Sequence, residues 1–158
     1  MQMMEINIPG LKPLRLTHLV LDFNGTLARD GKLLEGVRER LETLSRELEI
    51  HVLTADTFGT VQEAMAGIPC RTIVVPDTAQ AEAKARHVHD QGRDGVVAIG
   101  NGRNDRLMLQ NASLGIAVMQ EEGAAPQTLL AADVAVPGIN CALDLLIHPL
   151  RLSATLRD

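Results

Sequence analysis

Leu19, Val20 and Leu21 stand together without a polar break, and this run constrains the fold more than any other feature. A strand with one wet face alternates apolar and polar residues, whereas a strand covered on both faces does not, and such strands belong to parallel sheets. Short apolar, β-branched segments of this kind recur at 16–22, 50–54, 72–75, 95–99, 114–119 and 134–136. Between them lie stretches with helical character at 33–47, 58–66, 79–91, 104–111, 126–132 and 139–147. Leu34, Val37, Leu41, Leu44 and Leu48 share one stripe at helical spacing. Gly67 and Pro69 stop the second helix, and Pro126 sits in the first turn of a later one. The alternation predicts an α/β chain: a three-layer, Rossmann-like sandwich with a central, mostly parallel sheet and helices on both faces. A length of 158 residues fits one domain, expected over 1–158, and no repeat, linker or low-complexity stretch divides it.

Composition removes several function classes. The chain has two Phe and neither Trp nor Tyr, too few aromatics for a base-stacking surface, and its net charge is −5. A nucleic-acid partner is not expected. A small phosphorylated ligand remains compatible with that charge, because such sites are local. No apolar run approaches the roughly 20 residues of a membrane span, so no membrane insertion is expected. The opening MQMMEINIPG lacks the basic flank and apolar core of a targeting segment. Cys70 and Cys141 lie far apart with no metal-ligand spacing, and read as reduced thiols of a cytoplasmic protein.

The stretch LDFNGTLA, 21–28, poses the functional question. Asn24-Gly25 between apolar runs is a strong hairpin signal, but the βα alternation places the first strand centrally instead. Asp30-Gly31, between LAR and KLL, is the better place for a small hairpin. In open α/β sheets ligands sit beyond the carboxyl ends of the strands. The first strand ends in Asp22, Asn24 and Thr26, and the second in Thr54 within VLTAD. The helix after the third carries Lys84, and the fourth strand ends in GNGRND, 100–105. A carboxylate nucleophile, a hydroxyl, an ammonium and an acidic loop make up a kit for moving a phosphoryl group through an aspartyl phosphate.

These four elements, in this order, resemble the haloacid dehalogenase (HAD) superfamily, and in particular its small soluble members related to the phosphorylation domain of P-type ATPases. The family pattern is DxDGT, a Ser or Thr after the second strand, a Lys, and GDGxND. The resemblance runs from about residue 16 to 136. It implies a HAD-like fold and a magnesium-dependent hydrolase acting on phosphate esters or phosphoanhydrides. By position, Asp22 resembles the nucleophile, and the Asn24 carbonyl a metal ligand. Thr54 would bind phosphoryl oxygens, and Lys84 would pair with the phosphoryl group and Asp22. Asn101 and Asp105 fall in the Mg2+-binding loop. Gly25, Thr26, Ala55 and Asn104 fall where substrate is lined.

Plainer roles stand beside these. Thr54 and Asp56 could cap the following helix, a role preferred for Asp56. Lys84 could be a solvated surface charge, and Asp105 could be an acid in a helix first turn. His87 and His89 are two apart on a helix and do not make a metal pair.

The sequence departs from the family at Asn24 and Asn101, both usually Asp. An Asn cannot exchange the proton that the family's second Asp gives and takes, a contribution typically worth about 10²–10⁴-fold. Asn101 weakens the expected hold on metal. The alternative reading is therefore a weakly active or non-catalytic phosphate-binding module. Neither gap between motifs holds a large cap domain. The expected partners are thus a small phosphorylated substrate or a phosphoprotein, and a homo-oligomer is expected with the Asp30-Gly31 hairpin at its interface, where Leu27, Leu33 and Leu34 could pack against another subunit or, as preferred, on their own core.

Overall fold

The structure, a computed structural model, describes residues 2–158. Six strands form one all-parallel sheet: β3 (His18–Asp22), β6 (Glu49–Thr54), β7 (Arg71–Val74), β8 (Val96–Gly100), β9 (Leu114–Val118) and β10 (Val134–Val136), in the order β10-β9-β8-β3-β6-β7. The unbroken apolar runs lie at its centre: Leu19, Val20 and Leu21 are buried, as are all five residues of β8 and of β9.

Helices cover both faces. α1 (Val37–Leu44), α2 (Thr60–Ala64), α6 (Ile139–Ile147) and α7 (Pro149–Leu156) bury Val37, Leu41, Val61, Leu143 and Leu152 in one core cluster. α3 (Gln80–Asp90), α4 (Arg106–Asn111) and α5 (Pro126–Ala131) cover the other face, through Val88, Met108 and Leu129. The three layers are those expected from the alternating pattern.

The chain leaves β3 toward β6 and β7, then returns to build β8 to β10 on β3's other side. The order therefore reverses between β3 and β8, the place where open α/β sheets keep their ligand crevice. Asp22 ends β3, and Asn101 follows the last residue of β8.

Several boundaries differ from the sequence reading. Helix 33–47 shortens at its start, because Gly36 adopts φ 85° and Leu33 pairs with Ala28 instead. That pairing is the Asp30-Gly31 hairpin, β4 (Ala28–Arg29) with β5 (Lys32–Leu33). Both turn residues have positive φ, 52° and 79°, as a two-residue hairpin with the right twist requires. Strand 16–22 breaks at Thr17. Leu16 belongs to an antiparallel hairpin of β1 (Met4–Ile6) with β2 (Leu14–Leu16), which closes one end of the core. α7 (Pro149–Leu156) takes in most of the mixed tail 151–158, whose sequence shows no clear pattern.

Leu27 is fully buried, and Leu33 and Leu34 pack partly buried on the same core. The packing of the three leucines on the chain's own core is the preferred one of the two roles given them above.

Candidate active site

The loop after β3 folds back on one carbonyl: Thr26, Leu27 and Ala28 all donate their N–H to the Phe23 oxygen. Gly25 makes this possible with φ 84°. A Cβ there would lie 2.6 Å from Glu122 Oε2 and 2.8 Å from Asn101 Nδ2. The Asn24-Gly25 pair thus serves a tight strand-end loop that brings three segments together.

Asp22 stands at the mouth of the crevice with its side chain 13% exposed. Its Oδ1 accepts from Lys84 Nζ at 2.9 Å, and its Oδ2 from Thr26 Oγ1 at 3.2 Å. Lys84 reaches in from α3 and also donates to Asp105 Oδ1 at 2.8 Å. Two carboxylates and one ammonium leave this buried cluster at −1. Burial and the charge of Asp105 push Asp22 up to about 7, against the pull of Lys84 and the Thr26 hydroxyl. Burial alone would lower Lys84, but the charges and hydrogen bonds of both carboxylates win and raise it.

The cavity above Asp22 has a volume of about 440 Å³. Phe23, Asn24, Thr54, Ala55, Lys84, Asn101 and Asn104 line it with Asp22, so most of the residues singled out by sequence converge there. Asn104 is held by a 2.7 Å bond from its Nδ2 to Gln80 Oε1. Thr54 Oγ1 accepts from Asp56 N–H at 3.0 Å while still facing the cavity. Asp56 takes the capping role preferred for it, accepting from Phe58 N at 2.9 Å and Val61 N at 3.4 Å.

Other residues sit differently from the sequence reading. Thr26 is fully buried below Asp22, where its hydroxyl spans Asp22 and Asn101 Oδ1 (3.3 Å) and supports the carboxylate from beneath. It is not placed to line substrate. Asp105 is also fully buried and lies outside the cavity lining. Its Oδ2 accepts from Asn101 N and Gly102 N, both at 3.0 Å, and its Oδ1 takes Lys84. Asp105 is thus a counter-ion and a strut for its loop, with three of the roughly four acceptor positions of its carboxylate taken. Gly100 leaves room for it, since a Cβ there would lie 2.5 Å from Asp105 Cγ. The Asn24 side chain turns to the hairpin, its Oδ1 accepting from Gly31 N at 3.2 Å.

Glu122 was not found from the sequence. It sits after β9, beyond the last motif, yet its carboxylate enters the cavity lining beside Gly25 and Asn101. No spacing rule points to it, because a loop 21 residues beyond Asn101 brings it there.

No family model matches the chain. Over 63 residues, 40% of this chain, it is 56% identical to "Uncharacterized protein MJ0073" of Methanocaldococcus jannaschii, and the match covers 68% of that protein. "Uncharacterized protein MJ0072" of the same organism is 56% identical over 39 residues, which are 25% of this chain and 89% of its own length. The chain belongs to one family with these archaeal proteins. Among solved structures, the 3-deoxy-D-manno-octulosonate 8-phosphate phosphatase of Moraxella catarrhalis, in complex with magnesium and phosphate ions, matches with a TM-score of 0.71 at 14% identity. That match covers 90% of this chain and 94% of the phosphatase. The cobalt-bound phosphatase of the same kind from Haemophilus influenzae gives 0.70 at 12%, covering 90% and 94%. The catalytic domain of the CPx-ATPase CopB-B gives 0.60 at 23%, covering 72% of this chain and 45% of that one. The fold is that of the HAD superfamily hydrolases. Among the described residues, no helix is long and apolar enough to cross a membrane.

Proposed function

We propose that the chain is a magnesium-dependent phosphohydrolase that transfers a phosphoryl group through Asp22. The observation that carries this reading is the placement of Asp22. It is the carboxylate at the carboxyl end of the central strand, open to a 440 Å³ cavity and held at 2.9 Å by a buried lysine.

The donor set suits a hard cation. Asp22, the Asn24 carbonyl, the Asn101 amide oxygen and Glu122 all offer oxygen, the ligand class of Mg2+. Glu122 would supply the carboxylate that Asn101 lacks. Mg2+ there would offset the charge that a carboxylate and a phosphate bring together. Asp22 attacks phosphorus, and the leaving oxygen departs with its electron pair. Lys84 and Thr54 hold the phosphoryl oxygens, and Lys84 keeps Asp22 oriented through the shared contact with Asp105. Water then releases phosphate from the aspartyl phosphate. Asn24 exchanges no proton in either half-reaction, which favours a persistent phosphoenzyme.

That feature also supports a second reading, a phosphate-binding module with little turnover. The Asn24 oxygen already serves Gly31, and the substituent at that position is an amide. Between Asp22 and α1 the chain supplies only the β4–β5 hairpin as cover. We therefore favour closure by a macromolecular substrate or by a neighbouring copy, which light scattering separates.

A turnover screen over phosphate esters, nucleotides and acyl phosphates, with Mg2+ and an Asp22→Asn control, decides the main point. Turnover and acid-stable labelling that vanish in Asp22→Asn support the hydrolase. Full activity in that variant rejects Asp22 as nucleophile. Binding of phosphate without turnover supports the module.

A further inference from the structure

The opposite end of the sheet carries a second cluster that the phosphoryl site does not use. His18 opens β3 and lies opposite Glu49 in register, and His51 lies two residues further along β6. Side chains two apart on a strand share a face, so all three project toward α3. Their ligand atoms lie within 4.8 Å of one another. His51 Nε2 is 3.0 Å from Glu49 Oε1, and His18 Nε2 is 3.5 Å from Glu49 Oε2. Donor atoms around a tetrahedral ion at about 2.1 Å stand roughly 3.4 Å apart, and the two histidine–carboxylate distances here lie close to that spacing.

The hydrogen bonds around the cluster argue for a cation. Thr17 Oγ1 lies 3.3 Å from the Gly95 carbonyl, to which its hydroxyl can donate. His18 Nδ1 lies 2.8 Å from that hydroxyl oxygen, and in the tautomer whose Nδ1–H donates to it the Nε2 lone pair is left to face Glu49. On the far side, His51 Nδ1 and His87 Nε2 are 2.8 Å apart. In the tautomer whose Nδ1–H donates to His87, the His51 Nε2 lone pair can turn to an ion in place of its present 3.0 Å contact with Glu49 Oε1. Each imidazole thus has the outer hydrogen-bond partner that metal-bound histidines usually have.

We infer that His18, Glu49 and His51 form a binding site for a zinc-class dication. Two imidazoles and one carboxylate select borderline metals over Mg2+ or Ca2+. The site stands apart from the phosphoryl pocket. His18 and Asp22 are the two ends of β3, about 13 Å apart at 3.3 Å per residue. His18 and Glu49 also line a cavity of about 490 Å³ with Thr17, Cys70 and Arg71, from which water can complete the coordination. Arg71 faces Glu49 Oε1 at 3.6 Å from an exposed position and can swing out when a cation enters.

The test is equilibrium dialysis of the tag-free full chain against Zn2+, with Co2+ absorption as a readout of coordination. One Zn2+ per chain is expected, with a ligand-field spectrum free of thiolate character. Glu49→Gln and His18→Gln should each weaken binding at least tenfold, and the double variant should abolish it. His87→Gln, acting through His51, should weaken it by roughly 10–100-fold and alter the Co2+ spectrum. Asp22→Asn should leave this binding intact, which separates it from any metal at the phosphoryl site. Circular dichroism identifies any variant that fails to fold, and the partly exposed His18 and Glu49 are the safest positions. Zn2+ binding unchanged in the folded double variant, absent from the wild type, or lost only in Asp22→Asn would overturn the inference.

Discussion

Lys84 is the residue on which the phosphoryl pocket turns. Its ammonium is enclosed between Asp22 and Asp105 at 2.9 and 2.8 Å, with 2% of the side chain exposed. Removing one partner from a buried ion cluster leaves uncompensated charge and typically costs about 3–5 kcal/mol. Lys84→Met should therefore lower stability by about that amount in urea titration as well as abolish turnover. A loss under 1 kcal/mol would show that the cluster is solvated. Asn24→Asp tests the other half of the chemistry. One carboxylate oxygen can keep the Gly31 N–H while the second becomes free to exchange a proton. Hydrolysis of phosphate esters should rise at least about tenfold, given the usual worth of general acid–base help. No rise would mean that the Asn is matched to a different reaction.

At the level of elements, what could be read in advance followed from burial. β3, β8 and β9 announce themselves because both faces are covered and no polar residue interrupts their interiors. The Asp30-Gly31 turn was legible because few residue pairs accept two positive φ values. The start of α1 was not, since a leucine stripe looks the same whether Gly36 bends the chain or not. The β1–β2 hairpin was equally hidden, its three-residue strands being too short to show a period. Motif residues at strand ends were legible by type and order. Glu122, His18 and His51 were not, because tertiary contact alone gives them their neighbours. α2 illustrates a local device that the sequence does show. Asp56 lies ahead of it and accepts N–H bonds from Phe58 and Val61, and the Phe58 bond leads in holding its carboxyl below the ordinary value of 3.8. A depressed native value means that the unfolded chain binds more protons. The contribution of Asp56 is then present above about pH 4 and lost as pH falls through the native value. Asp56→Ala should melt earlier than wild type at pH 7, and the two should converge near pH 2. A gap that persists in acid would assign the effect to packing instead.

For the molecule as a whole, one sheet holds two chemically distinct ends. The carboxyl ends of β3 and β8 gather oxygen donors, an ammonium and a cavity, while the amino ends of β3 and β6 gather imidazoles. A ligand that binds only the folded chain stabilises it by RT ln(1 + [L]/Kd), about 2.7 kcal/mol at a hundredfold excess over Kd. For a chain of this size each kcal/mol moves Tm by roughly 2–4 °C. Mg2+ with beryllium fluoride, a mimic of phosphate on a carboxylate, should therefore raise Tm by roughly 5–10 °C near saturation. The rise requires an ionised carboxylate to receive the mimic, so Asp22→Asn should abolish it. Glu122→Gln should shift the response to higher Mg2+ without removing it, because that side chain adds charge at the rim rather than the attacking oxygen. The His18→Gln variant, altered at the other end of the sheet, should respond as wild type does. An equal rise in wild type and Asp22→Asn would place the mimic somewhere other than on Asp22, and the phosphoryl reading of the cavity would fall with it.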